Sequence, residues 1–166
     1  MPALRIEKLA DALGAEVSGV DLARALPAEL FTAIRQAWLE HLVLRFRGQQ
    51  LTDPQLLAFS RQFGELDPPG PNPYGRPFLP EHPEMNVISN IKADGVPIGG
   101  LGDGEAIWHA DMTYAATPPM GAVLYALEVP PEGGDTYWAN MVLACETLPE
   151  ALKRRILELS AAIVEH

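Results

Sequence analysis

Apolar and polar residues alternate between two glycines in Gly14-Ala15-Glu16-Val17-Ser18-Gly19, and this period of two predicts a strand. The period then lengthens. Leu30, Ile34, Trp38 and His41 recur at helical spacing, which predicts a helix over Pro27–His41 with Pro27 in its first turn, where the missing N–H costs nothing. Leu42-Val43-Leu44-Arg45-Phe46 is a compact β-type run that closes at Gly48. Thr52-Asp53-Pro54-Gln55 is a capping-box sequence. It opens a second helix carrying Leu56, Leu57, Phe59, Ser60 and Phe63, which Gly64 should stop.

The regular pattern breaks at Asp67. From there to Pro83 the chain holds Pro68, Pro69, Pro71, Pro73, Pro77, Pro80 and Pro83 with Gly70 and Gly75, a density that no regular element tolerates. A loop of this length within a domain is a functional lid or disordered, and we expect it to be irregular and exposed near the mouth of a pocket. Met85–Ser89 returns to a strand pattern, and Lys92–Glu105 reads as a second, Gly-rich loop. Further strands are expected over Ala106–Asp111, Ala122–Val129 and Thr136–Ala139. A last helix runs from about Pro149 to Leu159, with Leu148, Leu152, Ile156 and Leu159 on one stripe. Helices first and strands afterwards predict an α+β fold whose strands form part of a sandwich or jelly roll. No internal repeat is present.

Length and composition narrow the picture. The 166 residues amount to one domain or part of one, and 48% hydrophobic with 20% charged residues is globular composition. Twelve Lys and Arg against 22 Asp and Glu, a net charge of −10, do not suggest the basic face that nucleic-acid binding needs, and favour solubility. The longest apolar runs, such as Gly121–Leu127, are too short to span a bilayer, and the first residues lack the apolar stretch of a signal peptide. The expected location is the cytoplasm, with no membrane partner. The single Cys145 forbids an internal disulfide and reads as a small apolar residue packed in a helix.

The segment that carries chemistry is Trp108-His109-Ala110-Asp111. On a strand, residues two apart share a face, so His109 and Asp111 can offer an imidazole nitrogen and a carboxylate oxygen to one metal ion. That is two-thirds of a 2-His-1-carboxylate facial triad, which leaves positions open for a chelating co-substrate and dioxygen. The same two residues could equally form a hydrogen-bonded His–Asp pair at a strand edge.

The surrounding motifs separate these readings. After the His-x-Asp come Met112-Thr113-Tyr114, Thr117-Pro118-Pro119, Gly121-Ala122, Leu127-Glu128-Val129-Pro130 and Gly133-Gly134-Asp135-Thr136. Before it lie Gly14-Ala15, Ser18-Gly19-x-Asp21-Leu22 and Arg61-x-Phe63-Gly64-Glu65-Leu66. In this order the motifs resemble the taurine dioxygenase family, which includes 2,4-D dioxygenase, from about Leu4 to His166. The resemblance implies a partial double-stranded β-helix (jelly roll) with N-terminal helices, and a single incomplete dioxygenase domain over 1–166. It implies an iron(II)- and 2-oxoglutarate-dependent dioxygenase that hydroxylates a small organic substrate at a C–H bond while 2-oxoglutarate is decarboxylated to succinate. His109 and Asp111 would be iron ligands, and Thr136 would hydrogen-bond the distal carboxylate of 2-oxoglutarate.

The family also uses a second iron-binding His and an Arg that pairs with 2-oxoglutarate, both far downstream of His-x-Asp. Only 55 residues follow Asp111, with His166 as their single histidine and Arg154 and Arg155 on the predicted last helix. His166 falls before the position of the distal ligand. The chain is therefore expected to be truncated, with later jelly-roll strands missing and no activity alone. In the substrate loop, Tyr74 can correspond to the family's substrate-holding Tyr, but the accompanying His is absent, so taurine is disfavoured. Asn72, Asp103 and Glu105 are candidates to line that site and would suit a cationic or hydroxylated substrate. His41 and His82 are expected to stay outside the metal site. The alternatives of another class are a non-catalytic, cupin-like metal- or ligand-binding module and a pseudo-enzyme fragment. The sequence leaves a homo-oligomer open.

Overall fold

The computed structural model describes residues 3–67, 77–100 and 108–159. The chain divides into two compact units, Met1–Phe63 with Tyr125–His166, and Gly64–Leu124.

The first unit holds a three-stranded sheet in the order β1 (Arg5–Lys8), β2 (Ala15–Ser18), β3 (Leu44–Phe46). β1 pairs antiparallel with β2, placing Ile6 opposite Val17, and β2 pairs parallel with β3, placing Glu16 opposite Arg45. A parallel neighbour requires a crossover, and helix α1 (Ala28–His41) provides it. Pro27 sits at the N-cap of α1, one position before the first turn. β2 and α1 follow the periodicities that predict them. β1 has no such signal, since Ile6 is its lone apolar residue and all four positions are exposed; pairing along the edge of β2 makes it a strand.

Helix α2 (Asp53–Ser60) begins at the capping sequence, where the Gln55 side-chain oxygen accepts the Thr52 N–H at 2.8 Å. Gly64 does not stop it. The helix ends at Ser60, and tighter bonds from Gln62 N–H to Phe59 O and from Phe63 N–H to Ser60 O carry the chain on. Among the described residues, every buried apolar side chain lies between Ala15 and Phe59: Ala15, Val17, Leu22, Ile34, Ala37, Leu56, Leu57 and Phe59. Phe63 extends this core with edge-to-face contacts to Phe31, Trp38 and Phe59 at centroid distances of 4.9, 5.5 and 5.4 Å.

The later part of this unit carries α3 (Met141–Thr147) and α4 (Glu150–Leu157). α3 was not expected. Asn140 caps it by accepting the Leu143 N–H at 2.9 Å, and its amide also donates to the Ala12 carbonyl at 2.7 Å. The predicted last helix is α4, with Pro149 as its N-cap and its end at Leu157. Cys145 lies on α3 but is exposed rather than packed. The stripe residues Leu152, Ile156 and Leu159 are exposed as well.

Several expected strands are absent. Residues 85–89, 108–111, 122–129 and 136–139 are not strands. Alternation predicts an extended backbone but not a partner, and without a neighbour to take its N–H and C=O groups an extended run forms no ladder. In the second unit the expected loop Lys92–Glu105 instead contains a hairpin of β4 (Lys92–Ala93) and β5 (Val96–Pro97). Asp94 and Gly95 turn it with φ of 50° and 77°, the two positive values that a type I′ turn needs and that Asp-Gly favours. No helix among the described residues is long and apolar enough to cross a membrane.

Candidate metal centre

His109 and Asp111 lie in the second unit, on a segment that bends at Trp108 and enters a turn at Asp111. The chain reverses through Asp111–Tyr114, closed by a bond from the Ala115 N–H to the Met112 carbonyl at 3.0 Å. Met112 has φ of 49°. The two side chains meet, with His109 Nε2 3.2 Å from Asp111 Oδ1. Both are exposed to solvent, so their attraction across this distance is screened by water.

The separation has a chemical meaning. Two donors about 2.1 Å from one ion and at right angles to each other sit about 3 Å apart. The pair therefore fits two adjacent positions of one metal ion, and an imidazole nitrogen beside a carboxylate oxygen is a donor set suited to iron(II). Among the described residues no group of three His, Cys, Asp or Glu side chains converges, so a third protein ligand is not assembled there. His82 sits in a turn, with its N–H on the Leu79 carbonyl and its carbonyl taking the Met85 N–H. In the first unit, the His41 carbonyl takes the Gly14 N–H and thereby ties the end of α1 to β2.

Thr136 follows Gly133 and Gly134, both with left-handed φ, 72° and 68°. Its segment is exposed and does not form the strand expected over Thr136–Ala139. Asn72, Tyr74, Asp103, Glu105 and His166 lie outside the described residues, as does most of the Pro-rich loop. The described end of that loop, 77–83, forms bends and turns. Arg154 and Arg155 occupy the last turn of α4.

Two residues escaped the reading of the sequence. Tyr125 is half-buried within a run read as apolar, and its hydroxyl bonds the backbone at Leu51 and Gln49. A polar tip inside an apolar run was the available signal. Met112 carried no signal, because its left-handed backbone is set by the turn and not by its residue type. A surface depression lined by Val20, Asp21, Ala23, Gly48, Gln49 and Gln50 contains none of the predicted site residues.

Comparison with known proteins places this geometry in context. The family model for "Taurine catabolism dioxygenase TauD, TfdA family" matches residues 5–165. An alkylsulfatase of Acinetobacter baylyi is 36% identical over 152 residues, covering 91% of this chain and 44% of the relative. An (S)-phenoxypropionate/alpha-ketoglutarate-dioxygenase of Delftia acidovorans is 34% identical over 168 residues, covering 95% of this chain and 53% of the relative. The crystal structure of a taurine dioxygenase from Burkholderia xenovorans matches with a TM-score of 0.72 at 34% identity, covering 93% of this chain and 52% of that one. The chain spans about half the length of the curated relatives it matches.

Proposed function

The chain belongs to the taurine catabolism dioxygenase TauD, TfdA family, and from that premise we propose that it is part of an iron(II)- and 2-oxoglutarate-dependent dioxygenase acting on a small organic substrate. The reaction is hydroxylation at a C–H bond, with dioxygen consumed and 2-oxoglutarate decarboxylated to succinate. The observation that carries the proposal is the approach of His109 Nε2 to Asp111 Oδ1 at 3.2 Å, in a segment that the family match includes.

Iron(II) would supply the oxidising chemistry when bound with its co-substrates; the protein supplies position. His109 would hold the ion through an imidazole nitrogen, which must be unprotonated to do so. Asp111 contributes a carboxylate beside it, lowering the net charge of the centre. Thr136 would donate its hydroxyl proton to the distal carboxylate of 2-oxoglutarate. A second His and a cationic partner for the same carboxylate come from further along a longer protein, within one dioxygenase domain of jelly-roll type. That the chain spans about half the length of the relatives it matches supports this. The relatives named above point to organic sulfates and phenoxypropionate as the first substrates to try.

The test is succinate formation by the full-length protein with iron(II), 2-oxoglutarate and a panel of organic sulfates, phenoxyalkanoates and sulfonates. His109→Ala and Asp111→Ala should each abolish turnover. The 166-residue chain alone should bind iron(II) weakly and release no succinate. Wild-type succinate release by His109→Ala would overturn the assignment.

A further inference from the structure

An aspartate side chain can close onto the backbone nitrogen of the next residue when three conditions meet. Its carboxyl must be held by nothing else, the next residue must have an uncrowded N–H, and the backbone must have room to turn. The described aspartates other than Asp94 each fail one of these. Lys8 lies 3.3 Å from the Asp11 carboxylate. The Asp21 carboxylate accepts the Ala23 N–H at 3.0 Å and faces Arg24 at 3.5 Å. Asp53 and Asp67 precede Pro54 and Pro68, which have no N–H. Asp111 lies against His109 at 3.2 Å, and Asp135 precedes the β-branched Thr136. Asp94 precedes Gly95. Among the described residues, neither its carboxylate nor the Gly95 N–H has a hydrogen-bond or ion-pair partner. A side-chain carbon placed on Gly95 would meet nothing within 4 Å.

Both residues are exposed at the tip of the β4–β5 hairpin. Its ladder is short: Lys92 pairs with Pro97 and Ala93 with Val96, and one further bond runs from the Ile98 N–H to the Ile91 carbonyl at 3.1 Å. So short and exposed a ladder opens at its tip far more easily than a packed sheet. We propose that Asp94 is a site of spontaneous covalent modification, where the chain isomerises to isoaspartate through a succinimide shared with Gly95. When the tip opens, the Gly95 nitrogen attacks the side-chain carboxyl carbon of Asp94 in its neutral acid form. A nitrogen–carbon bond forms, the C–OH bond breaks, and the hydroxyl leaves as water with the amide proton. Water then opens the ring. Attack at the side-chain carbonyl restores aspartate; attack at the main-chain carbonyl leaves the chain running through the side chain, with a free α-carboxylate. No oxidation state changes, and water is the only co-reactant. The product carries one more methylene in its backbone. A two-residue type I′ turn does not accommodate it, so the Ala93–Val96 pairing is lost. The freed α-carboxylate is the group that an isoaspartyl methyltransferase esterifies, and that class of repair enzyme is the partner that fits this tip.

The experiment ages the full-length protein, folded, in mildly acidic and mildly alkaline buffer. Digestion and electron-transfer fragmentation then distinguish isoaspartate from aspartate position by position, and methyl incorporation by an isoaspartyl methyltransferase gives the total. Isoaspartate should accumulate at Asp94 several-fold faster than at Asp135, whose carboxylate is equally unpartnered among the described residues but whose neighbour is β-branched. Accumulation should be faster in the acidic buffer, because the hydroxyl leaves from the neutral carboxyl. Asp94→Asn should convert faster still, with ammonia leaving in place of water. Asp94→Glu should remove the signal at this position, because its longer side chain does not close a five-membered ring. Asp103 also precedes a glycine, and fragmentation assigns its share separately. Equal accumulation at Asp94 and Asp135, or an Asp94→Asn protein that stays intact, overturns the proposal. So does isoaspartate that appears at Asp94 only in denaturant, since the folded hairpin would then protect its tip.

Discussion

The Tyr125 hydroxyl accepts the backbone N–H of Leu51 at 3.0 Å and lies 3.4 Å from the Gln49 carbonyl, to which it donates. Leu51 immediately precedes Thr52, the N-cap of α2, so one phenol oxygen satisfies the stretch of backbone that delivers the chain into that helix. Tyr125→Phe keeps the ring and removes the oxygen. It should destabilise the protein by about 0.5–1.5 kcal/mol, with the upper end favoured because the Leu51 N–H is left without its partner. Urea unfolding curves for the two proteins measure the difference; an unchanged midpoint would show that water replaces the phenol at no cost.

The Glu16 carboxylate receives Arg45 Nη2 at 2.6 Å and Arg47 Nε at 3.2 Å. The hydrogen bond from Arg45 is the main reason that the Glu16 carboxyl titrates below its usual value of 4.5, with the charges of both arginines adding to it and partial desolvation opposing. The sign follows from linkage. A pKa lower in the folded than in the unfolded protein gives stability that is complete above the unfolded value and lost as pH falls through the folded one. Stability should therefore decline from about pH 4.5 downward, and Arg45→Met should flatten that decline. Carboxyl-resolved NMR titration should show the Glu16 midpoint rising in Arg45→Met; a midpoint that stays put would assign the shift to Arg47 instead.

Thr136→Ala in the full-length protein should act on the co-substrate and not on the metal. Removing one neutral hydrogen bond costs about 0.5–1.5 kcal/mol, so the apparent affinity for 2-oxoglutarate should drop roughly two- to tenfold. The concentration dependence of succinate formation reads this directly, with the rate at saturating 2-oxoglutarate nearly unchanged. A lost metal affinity with unchanged 2-oxoglutarate dependence would remove Thr136 from the proposed site.

Ile34 has no exposed surface and is, with Ala37, one of the two buried residues of α1. Ile34→Ala should cost about 2–5 kcal/mol through lost burial and the cavity left behind. Because every buried apolar side chain described lies between Ala15 and Phe59, this single truncation should lower the cooperativity as well as the midpoint of thermal unfolding. Retention of the wild-type transition would mean that stability resides elsewhere in the protein.

The sequence by itself determined several local elements and the family. Leu30, Ile34 and Trp38 set the face of α1, the Thr52–Gln55 pair opened α2, and the alternation around Val17 made β2, because each signal is contained within a few residues of the element it specifies. The ordered motifs from Gly14 to Thr136 were enough to identify the family. Tertiary structure alone decided which extended segments became strands: Arg5–Lys8 gained a neighbour and did, whereas Ala122–Val129, far richer in strand-forming residues, has none and did not. It also decided how His109 meets Asp111. Period-two reasoning expected the pair to share a strand face, but the two meet at 3.2 Å across a bend and a turn that follows with a left-handed Met112. A backbone hydrogen bond or a positive φ depends on what lies around the segment, and residue spacing along the chain does not encode that.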